Sequence, residues 1–441
     1  MKRSIELTAV VAVLLLFGFA ASTPGQTRAG VTVAPLKIKS GVGTVFVPDS
    51  SKAKPGDAGV RAHTNIQVFF PAGLKPNEAP PYSGYGFETP ASLACIYQLV
   101  TVTPGCNPNV VTSNPTGGSY SIAAVDAYDD PWAGPDLAYF SAQFGLPFSP
   151  AQLQVVYASG TQPVEDPTGG WELEESLDIE YAHAMAPNAT IYLVEAASNS
   201  LSDLAQGVAV ASSLVQCGQP NCPSGGTGQG EVLMGWGTGE FAAETTFDSY
   251  LTTPGVVYFA AAGDYPGVEY PCASPNVVCA GGTTTARDPS TGNFLYEIAW
   301  DDGGGGVSAY EPRPSYQASV LHLGSTTFRG VPDISFDSNP NTGAWVWDSF
   351  GFQYFEQSVA GWIPLAGTSL ASASLPGIVN VAGSFAPSSV SELTTIYGSR
   401  FTPTDIRDIT NGFCGPYSGL TPLLNWDFCT GVGSPLGYLG K

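Results

Sequence analysis

Residues 171–194 read WELEESLDIEYAHAMAPNATIYLV. The stretch changes period halfway along. Leu173, Leu177 and Ala184 fall near one helical stripe, so the spacing predicts a helix over Glu172–Met185. Thr190–Val194 is a short apolar run, predicted as a strand. A helix feeding a strand buried on both faces is the repeating unit of a parallel α/β sheet. The same texture extends in both directions. Ser121–Val125, Leu153–Tyr157, Glu231–Trp236, Val256–Ala262 and Asn276–Ala280 read as further strands. Pro135–Phe144, Leu201–Val215 and Ser369–Ala382 read as further helices. The expected fold class is α/β, a parallel sheet with helices on both faces. Residues 283–365 are expected to be more irregular, with Gly303–Gly306 as a flexible turn. No Gly-Lys-Ser/Thr follows those glycines, which discounts a phosphate loop.

The predicted helix carries the first chemical signal. Glu174 and Asp178 are i and i+4, so their carboxylates are neighbours on one face. No Lys or Arg stands nearby in sequence to pair with them. Two uncompensated carboxylates side by side repel, which raises one pKa and makes a shared proton favourable. A solvated acidic face is the plainer alternative. Ser369, in Ala366-Gly367-Thr368-Ser369, stands where a helix begins, the place where developing negative charge is favoured. Its plain alternative is an N-cap. Asp264 ends the hydrophobic run Val256–Gly263, and carboxyl ends of parallel strands are where active sites form. Its plain alternative is a turn aspartate.

Composition narrows the partners. The chain has 441 residues, 43% of them hydrophobic, which excludes global disorder. It holds 37 Asp+Glu against 15 Lys+Arg, a net charge of −22. Nucleic-acid binding needs a basic surface and is excluded as a main function. So acidic a body suits acidic surroundings. Nine of the 15 basic residues lie in residues 1–75, and after Lys75 the next lysine is Lys441. A basic leader of this kind can dock on an acidic body, or remain a solvated extension.

Residues 1–21 read as an export signal: Lys2 and Arg3, then an apolar run, then small residues. The run is short for a membrane span. The mature protein is expected to be secreted, extracellular and a monomer. Eight cysteines form four local couples, Cys95/Cys106, Cys217/Cys222, Cys272/Cys279 and Cys414/Cys429. In an exported chain they read as disulfides, with zinc disfavoured by the lack of CxxC and the presence of only three histidines. Residues 22–85 read as a short, basic, propeptide-like or extension segment, loosely structured apart from a strand-like run at Thr64–Phe70. Residues 86–441 read as the catalytic body.

Taken together, "EESLDIEYAHAMAPNA", the strand ending "AAAGD" and the later "GTS" resemble, in order and context, the serine-carboxyl peptidases of the sedolisin (kumamolisin) family. "VDAYDDP", "QFGLP", "GGGGVSAYEPRPSYQ" and "RGVPDIS" are similar too. The resemblance spans roughly Phe87 to Pro435 and implies a subtilisin-like fold. It also implies a secreted, acid-active peptidase acting on proteins or peptides. Carried over by position, Ser369 is the nucleophile, Glu174 the general base, and Asp178 the residue that holds Glu174. Asp264 becomes the oxyanion donor, while Asp126 and Trp236 extend the hydrogen-bond network. The resemblance further implies one structural calcium ion in a loop at about 405–435. Its ligands would be the Asp408 and Asp427 side chains and the carbonyls of Ile409, Leu423 and Asn425, a donor set of hard oxygens that suits calcium. Gly235 stands where the family commonly has serine. Ala373 stands where it often has proline, and Leu423 and Asn425 where glycines are usual. Two other classes compete: a catalytically silent binding protein on a peptidase scaffold, and a glycoside hydrolase, which needs carboxyls flanking the scissile bond.

Overall fold

The helix and strand read from residues 171–194 are both present, and they sit at the centre of the molecule. The structure, a computed structural model, describes residues 43–71, 79–81, 86–217, 228–383, 385–415 and 420–441. All of these belong to one unit, Val33–Lys441. In chain order its opening elements are β1 (Thr44–Phe46), β2 (His63–Thr64), β3 (Gln67–Phe70) and α1 (Pro90–Ile96). The α/β body follows as β4 (Ser121–Ala127), α2 (Ala133–Phe144), β5 (Leu153–Tyr157), α3 (Gly170–Met185), β6 (Thr190–Ala196), α4 (Leu201–Cys217) and β7 (Gly230–Met234). Next come β8 (Trp236–Gly239), β9 (Val256–Ala261), β10 (Glu269–Tyr270), β11 (Val278–Arg287), β12 (Phe294–Ala299), β13 (Gly306–Pro312), β14 (Phe328–Val331) and β15 (Ile334–Asp337). The chain ends through β16 (Ala344–Tyr354), β17 (Gln357–Ala366), α5 (Thr368–Ala382), α6 (Ser389–Ser399), β18 (Ile406–Arg407) and β19 (Ser434–Pro435).

The main sheet runs β12-β11-β9-β7-β4-β6-β5, with β15 also paired to β11. Every pairing is parallel except that of β11 with β12. The chain leaves β4 towards β6 and β5 on one side, then returns to β7, β9 and β11 on the other. That reversal puts a crevice at the carboxyl ends of β4 and β7. Alternate residues of β9 go to opposite faces. Val257 and Phe259 pack with α3 and α5 residues, whereas Val256, Tyr258 and Ala260 pack with α4 residues such as Leu204 and Val208. Helices therefore cover both faces, as the apolar strands require.

Three expectations change. Residues 283–365 are more regular than expected: β16 and β17 form a long antiparallel hairpin. Its buried aromatic residues Trp345 and Phe352 supply the packing that the local pattern did not reveal. Gly303–Gly306 is no loose turn. The Gly304 N–H donates to Gly263 O at 2.8 Å and the Gly305 N–H to Gly267 O at 2.7 Å, clamping the loop that follows Asp264. Finally, residues 43–71 are built into the body: β1 and β3 join β17 and β16 in one sheet, while β2 pairs with β8. Ile66 and Val68 are fully buried there. The strand-like run at Thr64–Phe70 exists, but it is interrupted at Asn65 and Ile66.

Cys95–Cys106, Cys272–Cys279 and Cys414–Cys429 are disulfide-bonded. The fourth couple consists of Cys217, the last residue of α4, and Cys222, which lies outside the described residues, as does the segment 1–21. Among the described residues no helix is long and apolar enough to cross a membrane.

Candidate active site

The site is built around one glycine. Gly235 links β7 to β8 at the carboxyl edge of the sheet. Its carbonyl accepts the Ser369 hydroxyl at 2.6 Å. A Cβ placed on it would lie 1.9 Å from Glu174 Oε1 and 2.9 Å from Asp178 Oδ2. Both carboxyls therefore close on the same backbone atom whose carbonyl holds the serine, and the glycine makes room for them.

Each side chain has a local reason for its place. Helix α3 is anchored by Asp166, whose carboxylate accepts the Gly170 and Trp171 N–H groups at 3.1 and 3.3 Å. These are orphan donors of the first turn. The i, i+4 spacing then brings Glu174 and Asp178 to the same place. Solvation of this face is excluded: every residue of α3 is buried. Ser369 lies in the first turn of α5. Gly367 precedes it with φ 132°, and a Cβ there would lie 2.0 Å from Asn65 O and 2.4 Å from Asp264 Oδ2. Asp264, beyond the end of β9, accepts the Thr368 N–H at 2.7 Å and the Thr368 hydroxyl at 3.0 Å through Oδ1. Its Oδ2 is buried without a hydrogen-bond partner among the described residues. A buried oxygen facing no donor is where a carboxylic acid keeps its proton.

The electrostatics are those of acids removed from water. Burial pushes Glu174 well above the ordinary carboxylate range; Asp126 reinforces this, the Ser369 hydroxyl opposes it, and Asp264 adds to it. Burial likewise raises Asp178, helped by Asp126 and Glu174 and opposed by the Gly235 N–H. Because the Ser369 hydroxyl is committed to the Gly235 carbonyl, its effect on Glu174 is that of a nearby dipole. Asp264 is raised by burial against the two Thr368 donors. Asp126, in β4, is raised by burial to about 8.

Ser369, Glu174, Asp178 and Asp264 thus lie close together, around Gly235 and Gly367. The Trp236 indole N–H donates to Val125 O at 2.6 Å, the carbonyl of the residue before Asp126. Asp126 touches the group through its field and makes no hydrogen bond among the described residues. The histidines stand apart from this chemistry. His183 packs edge-on against Phe148, and burial lowers it to about 4. His63 bonds Glu269 at 3.0 Å. His322 approaches Leu424 O at 3.3 Å. Glu174 and Asp178 close on the same glycine, so they do not flank a bond from two sides as glycoside hydrolysis requires. Sequence reasoning missed Thr368, although it adjoins Ser369. It also missed the Gly235 carbonyl and Asn65, whose N–H donates to Gly235 O at 3.1 Å.

At the C-terminal loop, Asp408 Oδ2 accepts the Asn425 N–H at 3.0 Å and Asp427 Oδ2 the Leu423 N–H at 3.1 Å. Two carboxylates thus converge on the backbone of 423–425. Asn425 adopts φ 71°, which explains why glycine or asparagine suits that position. Among the described residues there is no cluster of three or more His, Cys, Asp or Glu able to hold a metal. A calcium ion here would need these two side chains plus backbone carbonyls, a hard-oxygen set that fits it.

A serine in the first turn of a helix, facing buried carboxyls at the carboxyl edge of a doubly covered parallel sheet, defines a serine–carboxylate site on an α/β scaffold. No family model matches the chain. Among curated relatives, kumamolisin of Bacillus sp. (strain MN-32) is 31% identical over 337 residues, covering 68% of this chain and 56% of that protein. Sedolisin of Pseudomonas sp. (strain 101) is 29% identical over 239 residues, 46% of this chain and 38% of that protein. The solved structure of Pseudomonas sedolisin, a serine-carboxyl proteinase complexed with pseudo-iodotyrostatin, superposes with a TM-score of 0.60. It shares 23% identity over 79% of this chain and 95% of that one, a likeness of fold. The chain belongs to the sedolisin family and has its subtilisin-like fold. It spans about half the length of the kumamolisin sequence it matches, and less of sedolisin.

Proposed function

We propose that this chain is a secreted peptidase that hydrolyses peptide bonds in acid, with proteins or peptides as substrates. What carries the reading is the closure of Glu174, Asp178 and the Ser369 hydroxyl on Gly235, with Asp264 at the start of the same helix. Ser369 Oγ attacks the carbonyl carbon in the form of the site where the Glu174–Asp178 pair carries one negative charge; Glu174 then takes the serine proton and delivers it to the leaving amine. Asp178 shares negative charge with Glu174 and holds its carboxyl in place. Asp264, kept protonated by burial, donates to the oxygen that becomes negative. Such a donor works only while it is neutral, which ties activity to acid. Incubation of a denatured protein with the wild-type chain at about pH 4, in the range of ordinary carboxylates, gives fragments. The Ser369→Ala chain gives none. Equal digestion by both would end the proposal.

Two expected results follow from the separate parts. Asp264→Ala lowers kcat by about 10²–10³-fold with KM little changed, because the donor acts on the charge that develops in the transition state. Steady-state kinetics on a chromogenic peptide measures it. We also place one calcium ion at Asp408 and Asp427. Titrating calcium into chelator-treated protein then raises the melting temperature by a few degrees, since a ligand at about 100 times its Kd contributes about 2.7 kcal/mol. Asp408→Ala removes that response. A melting temperature indifferent to millimolar calcium would refute the assignment.

A further inference from the structure

An acid that donates to an oxyanion must carry its proton on the correct oxygen. Asp264 presents two, and they are held differently. Oδ1 accepts the Thr368 N–H at 2.7 Å and the Thr368 hydroxyl at 3.0 Å. The direction of that hydroxyl is fixed by a third contact: Thr368 Oγ1 accepts the Gly263 N–H at 3.0 Å. A backbone N–H can only donate, so the Thr368 proton points away from it and onto Oδ1. The Gly263 peptide is held at its other end too, where its carbonyl accepts the Gly304 N–H at 2.8 Å. Thr368 is fully buried, so water does not compete for its hydroxyl.

Two donors fill the lone pairs of Oδ1 and leave it no place for a proton of its own. The proton of a neutral Asp264 therefore belongs on Oδ2, which has no hydrogen-bond partner among the described residues. Oδ2 faces the space that Gly367 leaves open: a Cβ there would lie 2.4 Å from it. Gly367, Thr368 and Ser369 are consecutive, so the residue that holds Oδ1 is bonded directly to the nucleophile. The titratable groups that act on Asp264 are Glu174 of α3, Glu269 of β10, Asp302 of the glycine loop and Tyr265 next in sequence. All are acids, which favours the neutral form of Asp264. Neutrality alone does not choose between the two oxygens. The Thr368 contacts do.

We propose that Thr368 is a positioning residue that places the Asp264 proton on Oδ2 and so aims the oxyanion donor beside Ser369. The inference rests on the peptidase reading above. As negative charge develops on the substrate oxygen, Oδ2–H already points into the gap beside Gly367, and neither the proton nor the carboxyl has to turn first. The same hydroxyl has an opposite effect on acidity. It also bonds the ionised carboxylate, and so lowers Asp264 against the rise that burial causes. Thr368 thus sharpens the aim of the donor while narrowing the pH range over which the donor stays neutral. Removal of the hydroxyl slows the reaction and widens that range at once. Loosened packing alone produces the first effect without the second.

Thr368→Val keeps the branched shape and removes the hydroxyl. At about pH 4 its kcat on a peptide substrate falls about 10-fold, less than the roughly 10²–10³-fold of losing a donor outright, with KM little changed. The alkaline limb of kcat moves to higher pH, because Asp264 has lost a hydrogen bond that favours its ionised form. Thr368→Ser recovers most of the rate and returns the limb towards its wild-type position. In the Asp264→Ala background Thr368→Val has no further effect, since nothing is left for the hydroxyl to position. Circular dichroism shows whether Thr368→Val is folded; where it is not, Thr368→Ala carries the same expectations. An unchanged kcat, a fall in kcat with the limb unmoved, or losses that add in the double variant would overturn this inference and leave the peptidase reading standing. A wild-type chain that digests no protein in acid would overturn both.

Discussion

Ser369→Ala lowers kcat/KM on a peptide substrate by about 10⁵-fold or more, Glu174→Gln by a similar factor, and the double variant by no more than either alone. The reason is mechanical coupling. The hydroxyl is a weak nucleophile unless a base takes its proton, and here the base is a carboxyl on α3 placed beside a carbonyl that already orients the hydroxyl. Without the hydroxyl the base has nothing to act on. Without the base the hydroxyl stays neutral and continues to donate to Gly235. What survives in either variant is binding and the oxyanion donors, so residual rates converge. Asp178→Asn is milder, about 10–10³-fold, because it perturbs how Glu174 is held while leaving the proton acceptor in place. Kinetics of the three single variants and the double distinguish this from independent contributions, whose free energies would add.

The helix carrying Glu174 and Asp178 was legible because 3.6 residues per turn leaves a trace in any sequence. Ser369 was legible because a glycine and two hydroxyl residues precede an apolar run. The burial of those carboxyls was not legible. An acidic face without lysine reads the same whether water or the Gly235 link covers it, and that link lies on a different element far along the chain. Asn65 was hidden for a related reason. Its partners are the backbone groups of Gly235 and Ser369, and backbone pairing over such separations has no local signature. The same holds for Gly303–Gly306, whose composition suggests freedom while its N–H groups are bonded to the Asp264 loop.

The melting temperature of the full-length Ser369→Ala chain falls by roughly 10 °C or more between pH 4 and pH 8 at constant ionic strength. Burial raises Asp126 and Asp348 to about 8, Glu195 to about 9 and Glu172 to about 10, against ordinary values of 3.8 and 4.5. Glu175, Glu180 and Glu231 are raised well above the ordinary range for the same first cause. The neighbours of Glu175 are themselves acids: Glu195, Asp130, Asp126 and Glu172. The buried arginine ion pairs among the described residues lie elsewhere, joining Arg287 to Glu88, Arg329 to Asp333 and Arg407 to Glu297. In the folded chain these carboxyls hold protons that the unfolded chain releases above about pH 4. Their contribution is therefore fully present below the unfolded values and is lost as pH rises towards the folded ones. Each proton held only by the native state costs about 1.4 kcal/mol of stability per pH unit across that window. Few groups are needed to account for the whole shift. Asp126→Asn removes one such proton and makes the decline shallower, with its greatest relative gain at pH 8. Calorimetry across the window measures both slopes. A melting temperature that held steady or rose towards neutrality would show that these acids are ionised in the native state, and the neutral oxyanion donor assigned to Asp264 would lose its physical basis.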